Sequence, residues 1–160
     1  MNELDPKNPP RQEVGQGRPA TSPAASFANP RTYGILVVDD EWTVRAVLSV
    51  ILREKGFALW LAANGQEALD LYRRCHETID VVLLDVLMPG RDGPQTLAAL
   101  QEINPRVRCC FMSGDLGRYT ERELCDLGTA AVIQKPFRVA EAAQMLWELA
   151  SEADLSLSST

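Results

Sequence analysis

Five short apolar runs, separated by stretches of helical periodicity, constrain this chain more than any other feature. They are "GILVV" (34–38), "ALWLAA" (58–63), "VVLL" (81–84), "RCCFM" (108–112) and "AAVIQ" (130–134). Each has the length of a strand, and "VVLL" has no polar alternation, as expected of a strand buried on both faces. Between them lie amphipathic segments. Val44, Val47, Leu48, Ile51 and Leu52 recur at helical spacing, and Gly56 ends that helix. Asn64 can cap a second helix through Ala68, Leu69 and Tyr72. Pro94 suits the first turn of a third, with Leu97, Leu100 and Ile103 inward and Pro105 as its stop. "YTERELCDLG" gives a short fourth helix ending at Gly128. In the fifth, Val139, Ala142, Ala143, Leu146 and Leu149 face inward. Strands alternating with helices predict βαβ units, hence an α/β fold with a doubly wound parallel sheet.

The flanks read differently. Residues 1–30 are rich in Pro, Gly, Ser and Asn without apolar period, which predicts a disordered tail. Residues 31–150 form the predicted domain, and 151–160 read as a frayed C-terminal tail. A net charge of −6 argues against nucleic acid, whose phosphates require Lys and Arg. No apolar run is long enough for a membrane span, and the N-terminus lacks a secretory pattern, so a cytoplasmic protein is expected. Cys75, Cys109, Cys110 and Cys125 show no CxxC spacing and are expected to be reduced structural thiols. His76, the one histidine, falls in a polar stretch and is expected to be solvated.

In open parallel sheets, ligands bind beyond the carboxyl ends of the strands. The residues that follow the apolar runs are therefore the informative ones. Asp39, Asp40 and Glu41 follow the first, Asp85 the third, Ser113 and Gly114 the fourth, and Lys135 and Pro136 the fifth. If the first and third strands are neighbours, Asp39, Asp40 and Asp85 share a crevice. Two carboxylates about 4 Å apart repel by roughly 4 kcal/mol at an effective dielectric near 20. Three together require raised pKa values or a cation. Hard oxygen ligands favour Mg²⁺, which leaves room for a phosphate. With Lys135 and a hydroxyl from Ser113, such a site is suited to receive a phosphoryl group.

The motifs "LVVDDE", "LLDVLMPGRDG", "FMSGD" and "IQKPF" together resemble the receiver domain of two-component response regulators, over about residues 32–150. The resemblance implies a flavodoxin-like (βα)5 sheet in the order 2-1-3-4-5, an order the chemotaxis member of this family exemplifies. It implies that Asp85 accepts a phosphoryl group from a sensor histidine kinase or a histidine phosphotransfer protein. Asp40, Asp85 and the backbone carbonyl of Leu87 would be direct Mg²⁺ ligands, with Asp39 acting through water. Ser113 would be the switch hydroxyl, and Lys135 would pair with Asp85 or its phosphate across a cis Lys135–Pro136 bond. The protein would be a phosphoacceptor rather than an enzyme. Its output would be a protein–protein contact through the surface from helix 4 to helix 5, a face on which a homodimer could also form. Two positions depart from the common pattern. Val132 stands where many members carry a rotating aromatic ring. Leu87 cannot orient water by hydrogen bonding, which predicts slow self-dephosphorylation. Two other readings share parts of the pattern. One is a Mg²⁺-dependent aspartyl-phosphate phosphohydrolase, which would need an acid at position 87. The other is a flavin-binding module, which would need a hydroxyl-rich loop after the first strand.

Overall fold

The computed structural model describes residues 31–157. Within them five strands and five α-helices alternate: β1 (Gly34–Val38), α1 (Trp42–Glu54), β2 (Ala58–Ala62), α2 (Gly65–Cys75), β3 (Val81–Asp85), α3 (Gly93–Ile103), β4 (Cys109–Ser113), α4 (Glu121–Asp126), β5 (Ala131–Gln134) and α5 (Val139–Leu157). The strands form one sheet in the order β2-β1-β3-β4-β5, every pair parallel. This is the flavodoxin-like order expected above.

Local chemistry explains the boundaries. Asn64 accepts the Glu67 N–H at 2.9 Å and caps α2 as predicted. Two capping boxes went unread in the sequence, Asp92 with Gln95 at α3 and Thr120 with Glu123 at α4. Pro94 lies in the first turn of α3, and α4 ends before Gly128, whose φ is +88°.

Side chains alternate across the sheet and build two cores. Leu36, Val38, Val82, Leu84, Cys109 and Phe111 pack with residues of α2, α3 and α4. Ile35, Val37, Val81, Leu83, Cys110 and Met112 pack with residues of α1 and α5. Cys109 and Cys110 thus face opposite cores, and burial holds both thiols neutral, Cys110 pushed up to about 12. None of Cys75, Cys109, Cys110 and Cys125 is in a disulfide.

Two expectations change. Helical spacing places Val47 on the buried stripe of α1, yet it is 54% exposed. The buried row is Leu48 and Leu52, one helical turn apart, which turns Val47 outward with Val50. The end of the chain expected to fray from 151 is helical through Leu157. Tyr33 Oη donates to Asp154 at 3.1 Å, and Arg108 donates to the Leu149 carbonyl at 2.8 Å, tying α5 to the amino-terminal end of the sheet. Residues 1–30, expected to be a disordered tail, lie outside the described residues, as do 158–160. No helix among the described residues is long and apolar enough to cross a membrane.

Candidate functional site

Sheet register brings the site together. Val38 pairs with Leu84, Asp85 with Met112, and Ser113 with Gln134. Asp39, Asp85, Ser113 and Lys135 therefore emerge at one edge, the carboxyl end of four adjacent strands. Parity then sorts them. Asp39 lies two residues after Val37, Asp85 two after Leu83 and Lys135 two after Ile133, and all three reference residues belong to the α1–α5 core. Hence both acids and the lysine point to the same side of the sheet.

Asp39 is fully buried and Asp85 is 6% exposed, whereas Asp40 lies open to solvent. One carboxylate oxygen from each of Asp39, Asp40 and Asp85 lies within 4.8 Å of the others. Lys135 Nζ donates to Asp39 Oδ2 at 2.7 Å and sits 3.6 Å from Asp85 Oδ1. The sequence reading paired this lysine with Asp85; its shorter contact is to Asp39. The second oxygen of Asp39 accepts the Glu41 N–H at 2.8 Å, and Arg45 donates to the Asp39 carbonyl at 2.6 Å. Arg45 was not singled out in the sequence, because a basic residue on an amphipathic helix carries no distinguishing signal.

Electrostatics follow the geometry. Burial, then the neighbouring charge of Asp39, raises the Asp85 carboxyl from 3.8 to about 7, and Asp40 adds to the rise. Lys135 and a backbone hydrogen bond from Leu87 oppose it. For Lys135, burial alone would lower the pKa, but the hydrogen bond to Asp39 and the charges of Asp85 and Asp39 outweigh it, and the net direction is up. Asp85 is left short of positive charge, the condition a cation would relieve.

Around the acids the loops are closely fitted. A Cβ on Gly93 would collide with the Asp85 carbonyl oxygen, so only glycine lets α3 start directly behind Asp85. Ser113 lies within the last residue of β4, and its hydroxyl donates to the Asp115 carbonyl. Gly114 is exposed, and a Cβ there would meet only the Lys135 Cβ, at 3.9 Å. Leu87 is 39% exposed and rests against Gly117. The Lys135–Pro136 peptide is cis, as expected. Val132 packs against the α2–α4 core, with no aromatic ring at that position. His76 is exposed in a short 3-10 turn, His76–Thr78, that precedes β3, at the end of that strand opposite Asp85.

A five-stranded parallel sheet in the order 2-1-3-4-5, with an acidic pocket and a lysine at its carboxyl edge, defines a flavodoxin-like fold with a charged strand-end site. Residues 35–146 match the response regulator receiver domain, and the chain belongs to that family of two-component systems. It is 35% identical over 109 residues to sporulation initiation phosphotransferase F of Bacillus subtilis, spanning 67% of this chain and 85% of that protein. Among solved structures, CheY in the CheX-CheY-BeF3-Mg complex of Borrelia burgdorferi is 28% identical with a TM-score of 0.68, covering 73% of this chain and 88% of that one. A response regulator of Burkholderia pseudomallei with a phosphorylated aspartic acid and a calcium ion is 25% identical with a TM-score of 0.64, covering 80% and 75%. Other curated relatives are longer, and this chain spans between 13% and 47% of their length.

Proposed function

We propose that this protein is a phosphoacceptor of a two-component phosphorelay, with Asp85 as the accepting residue. The observation that carries the reading is the convergence of Asp39, Asp40, Asp85 and Lys135 at one strand edge. Three oxygens within 4.8 Å of one another are a hard donor set suited to Mg²⁺. Asp40, Asp85 and the Leu87 carbonyl would hold the ion directly, with Asp39 contributing through water. Bound there, it would neutralise phosphoryl oxygens and keep Asp85 ionised at neutral pH.

The remaining steps belong to the chain's own groups. An Asp85 oxygen forms a P–O bond to the phosphoryl group of a phosphohistidine as the P–N bond breaks. The electron pair of that bond returns to the imidazole nitrogen, which takes a proton from solvent. Lys135 already lies between Asp39 and Asp85, where its ammonium can move onto a phosphoryl oxygen. Ser113 can turn its hydroxyl from the Asp115 carbonyl to the new group. Positioning and charge neutralisation supply the acceleration. The phosphorylated form is long-lived, because Leu87 at the mouth gives an attacking water no hydrogen-bond partner.

The donor must reach Asp85 across the rim of this pocket. That rim carries Trp42, 70% exposed, and an apolar groove of about 320 Å³ between α1 and the start of α5, lined by Val44, Val47, Pro136, Phe137 and Val139. A helix of a sensor histidine kinase or a histidine phosphotransfer protein fits this rim. The output is a contact with a downstream protein through the α4–β5–α5 face, and the protein is not itself a turnover enzyme. The side chain two residues past Asp85 is apolar and offers no proton, which disfavours a phosphohydrolase.

The test is phosphotransfer from a phosphorylated histidine phosphotransfer protein in the presence of Mg²⁺, followed by borohydride reduction and peptide mapping. Reduction of an acyl phosphate at residue 85 to homoserine is the expected result. Label on any other residue, or none, would refute the assignment.

A further inference from the structure

The loop from β4 to α4, residues 114–120, begins beside Ser113 and is fastened at its far end to the start of α3. Tyr119 Oη donates to Asp92 Oδ2 at 2.8 Å, while Arg118 donates to the Tyr119 oxygen at 2.7 Å and lies 3.4 Å from the same carboxylate. The other oxygen of Asp92 caps α3 by accepting the Gln95 N–H at 2.9 Å. Asp92 is thus fixed by its own helix and offers a rigid anchor. It closes the β3–α3 loop that opens with Asp85, so the bond joins the acceptor's loop to the switch hydroxyl's loop.

The interior of the β4–α4 loop is equally well determined. Asp115 Oδ1 accepts the Gly117 N–H at 2.8 Å, Tyr119 N–H donates to the Leu116 carbonyl at 3.0 Å, and Gly117 at φ +59° abuts Leu87. The Asp115 carbonyl, which holds the Ser113 hydroxyl, therefore keeps its place only while the loop does. Fixing Tyr119 to Asp92 fixes that carbonyl. The switch device expected elsewhere in this fold, a rotating ring on β5, has no counterpart at Val132; the aromatic residue joined to the site's loops is Tyr119.

We propose that the Tyr119–Asp92 hydrogen bond is a latch that holds the β4–α4 loop, and with it the Ser113 hydroxyl, in the unphosphorylated arrangement. This inference rests on the phosphoacceptor reading above. Releasing the latch lowers the cost of turning Ser113 toward a phosphoryl group, so Tyr119 acts as a positioning residue through Ser113 rather than on the acceptor itself. The bond stabilises one of two packings, and its loss shifts the population toward the other.

The experiment compares the full chain with Tyr119→Phe, which removes only the hydroxyl, and with Asp92→Asn, whose amide oxygen keeps the helix cap while an NH2 replaces the oxygen that accepts from Tyr119. Each is titrated calorimetrically with beryllofluoride in saturating Mg²⁺ and, separately, with Mg²⁺ alone. Both variants are expected to bind beryllofluoride about 3- to 10-fold more tightly, as one released hydrogen bond dictates, with Mg²⁺ affinity unchanged. Adding Tyr119→Phe to Ser113→Ala is expected to give no further gain. Unchanged or weaker beryllofluoride binding in Tyr119→Phe would overturn the latch, as would a gain that persists without the Ser113 hydroxyl. If the parent protein binds Mg²⁺ but no beryllofluoride, the phosphoacceptor reading itself fails, and the latch with it.

Discussion

Lys135 is closer to Asp39, at 2.7 Å, than to Asp85, at 3.6 Å. The fully buried carboxylate takes the ammonium, and the Asp85 carboxylate is left the less compensated of the two. That division makes Asp85 the destabilised member of the pair in the absence of a metal. We expect Asp85→Asn to raise the stability of the metal-free protein by about 0.5–2 kcal/mol while abolishing phosphorylation, since function here is held against stability. Urea denaturation in the presence of a chelator checks it. A loss of stability would mean that Asp85 is a structural ion-pair partner.

The pH dependence has a definite sign. Burial and the charge of Asp39 raise the folded-state pKa of Asp85 from 3.8 to about 7. Between those values the folded protein holds a proton that the unfolded chain has released. Stability of the metal-free protein therefore falls as pH rises through this window. The raised Lys135 contributes with the same sign, its stabilisation being lost as pH rises, but it titrates far above this window. Denaturation midpoints at intervals from pH 4.5 to 7.5 should show the decline, and Asp85→Asn should flatten it. Saturating Mg²⁺, which favours the carboxylate, should flatten it as well.

If the proposed rim is where the donor docks, recognition and chemistry can be separated by mutation. Val47 and Trp42 are exposed apolar residues that are not members of the cluster of Asp39, Asp40 and Asp85. Val47→Asp is expected to slow transfer from a phosphohistidine protein by ten-fold or more, through about 1.4 kcal/mol or more of lost complementarity. Labelling by a small acyl phosphate should be unaffected. Equal slowing with both donors would place Val47 in the fold rather than the interface.

On the proposed reading, Leu87 sets the lifetime of the phosphorylated form. Replacing it with Asn puts a hydrogen-bonding group where an attacking water would stand, beside Asp85. The half-life of the phosphorylated form should shorten several-fold, from minutes or longer toward seconds, as followed by loss of label after donor removal. A parent lifetime of seconds would contradict the role given to Leu87.

Much of this site could be read before any coordinates, because a strand end is a strong local signal. An apolar run followed at once by Asp39-Asp40, Asp85, Ser113 or Lys135 marks both the strand and the edge where it stops. The parallel sheet then does the assembling. What could not be read depends on contacts across the fold. Gly93 looks like part of a generic turn until the Asp85 carbonyl is found where its Cβ would be. Asp92, Arg118 and Tyr119 lie 26 and 27 residues apart along the chain, and no periodicity links them. The continuation of α5 to Leu157 rests on bonds to Asp154 from Tyr33 and to Glu152 from Arg108, residues that stand just before β1 and β4 and many positions earlier in the chain. Val47 was misplaced because helical spacing of three or four admits two adjacent rows, and only packing decides which is buried.

The central claim, that Asp85 is the reactive carboxylate of a cation-binding pocket, is tested most directly by intact mass. The protein and Asp85→Asn are each incubated with Mg²⁺ and a small acyl-phosphate donor. A gain of a single phosphoryl group, about 80 Da, in the parent alone and only with Mg²⁺ present, is the predicted result. Equal labelling of Asp85→Asn, or no labelling of either, would contradict it.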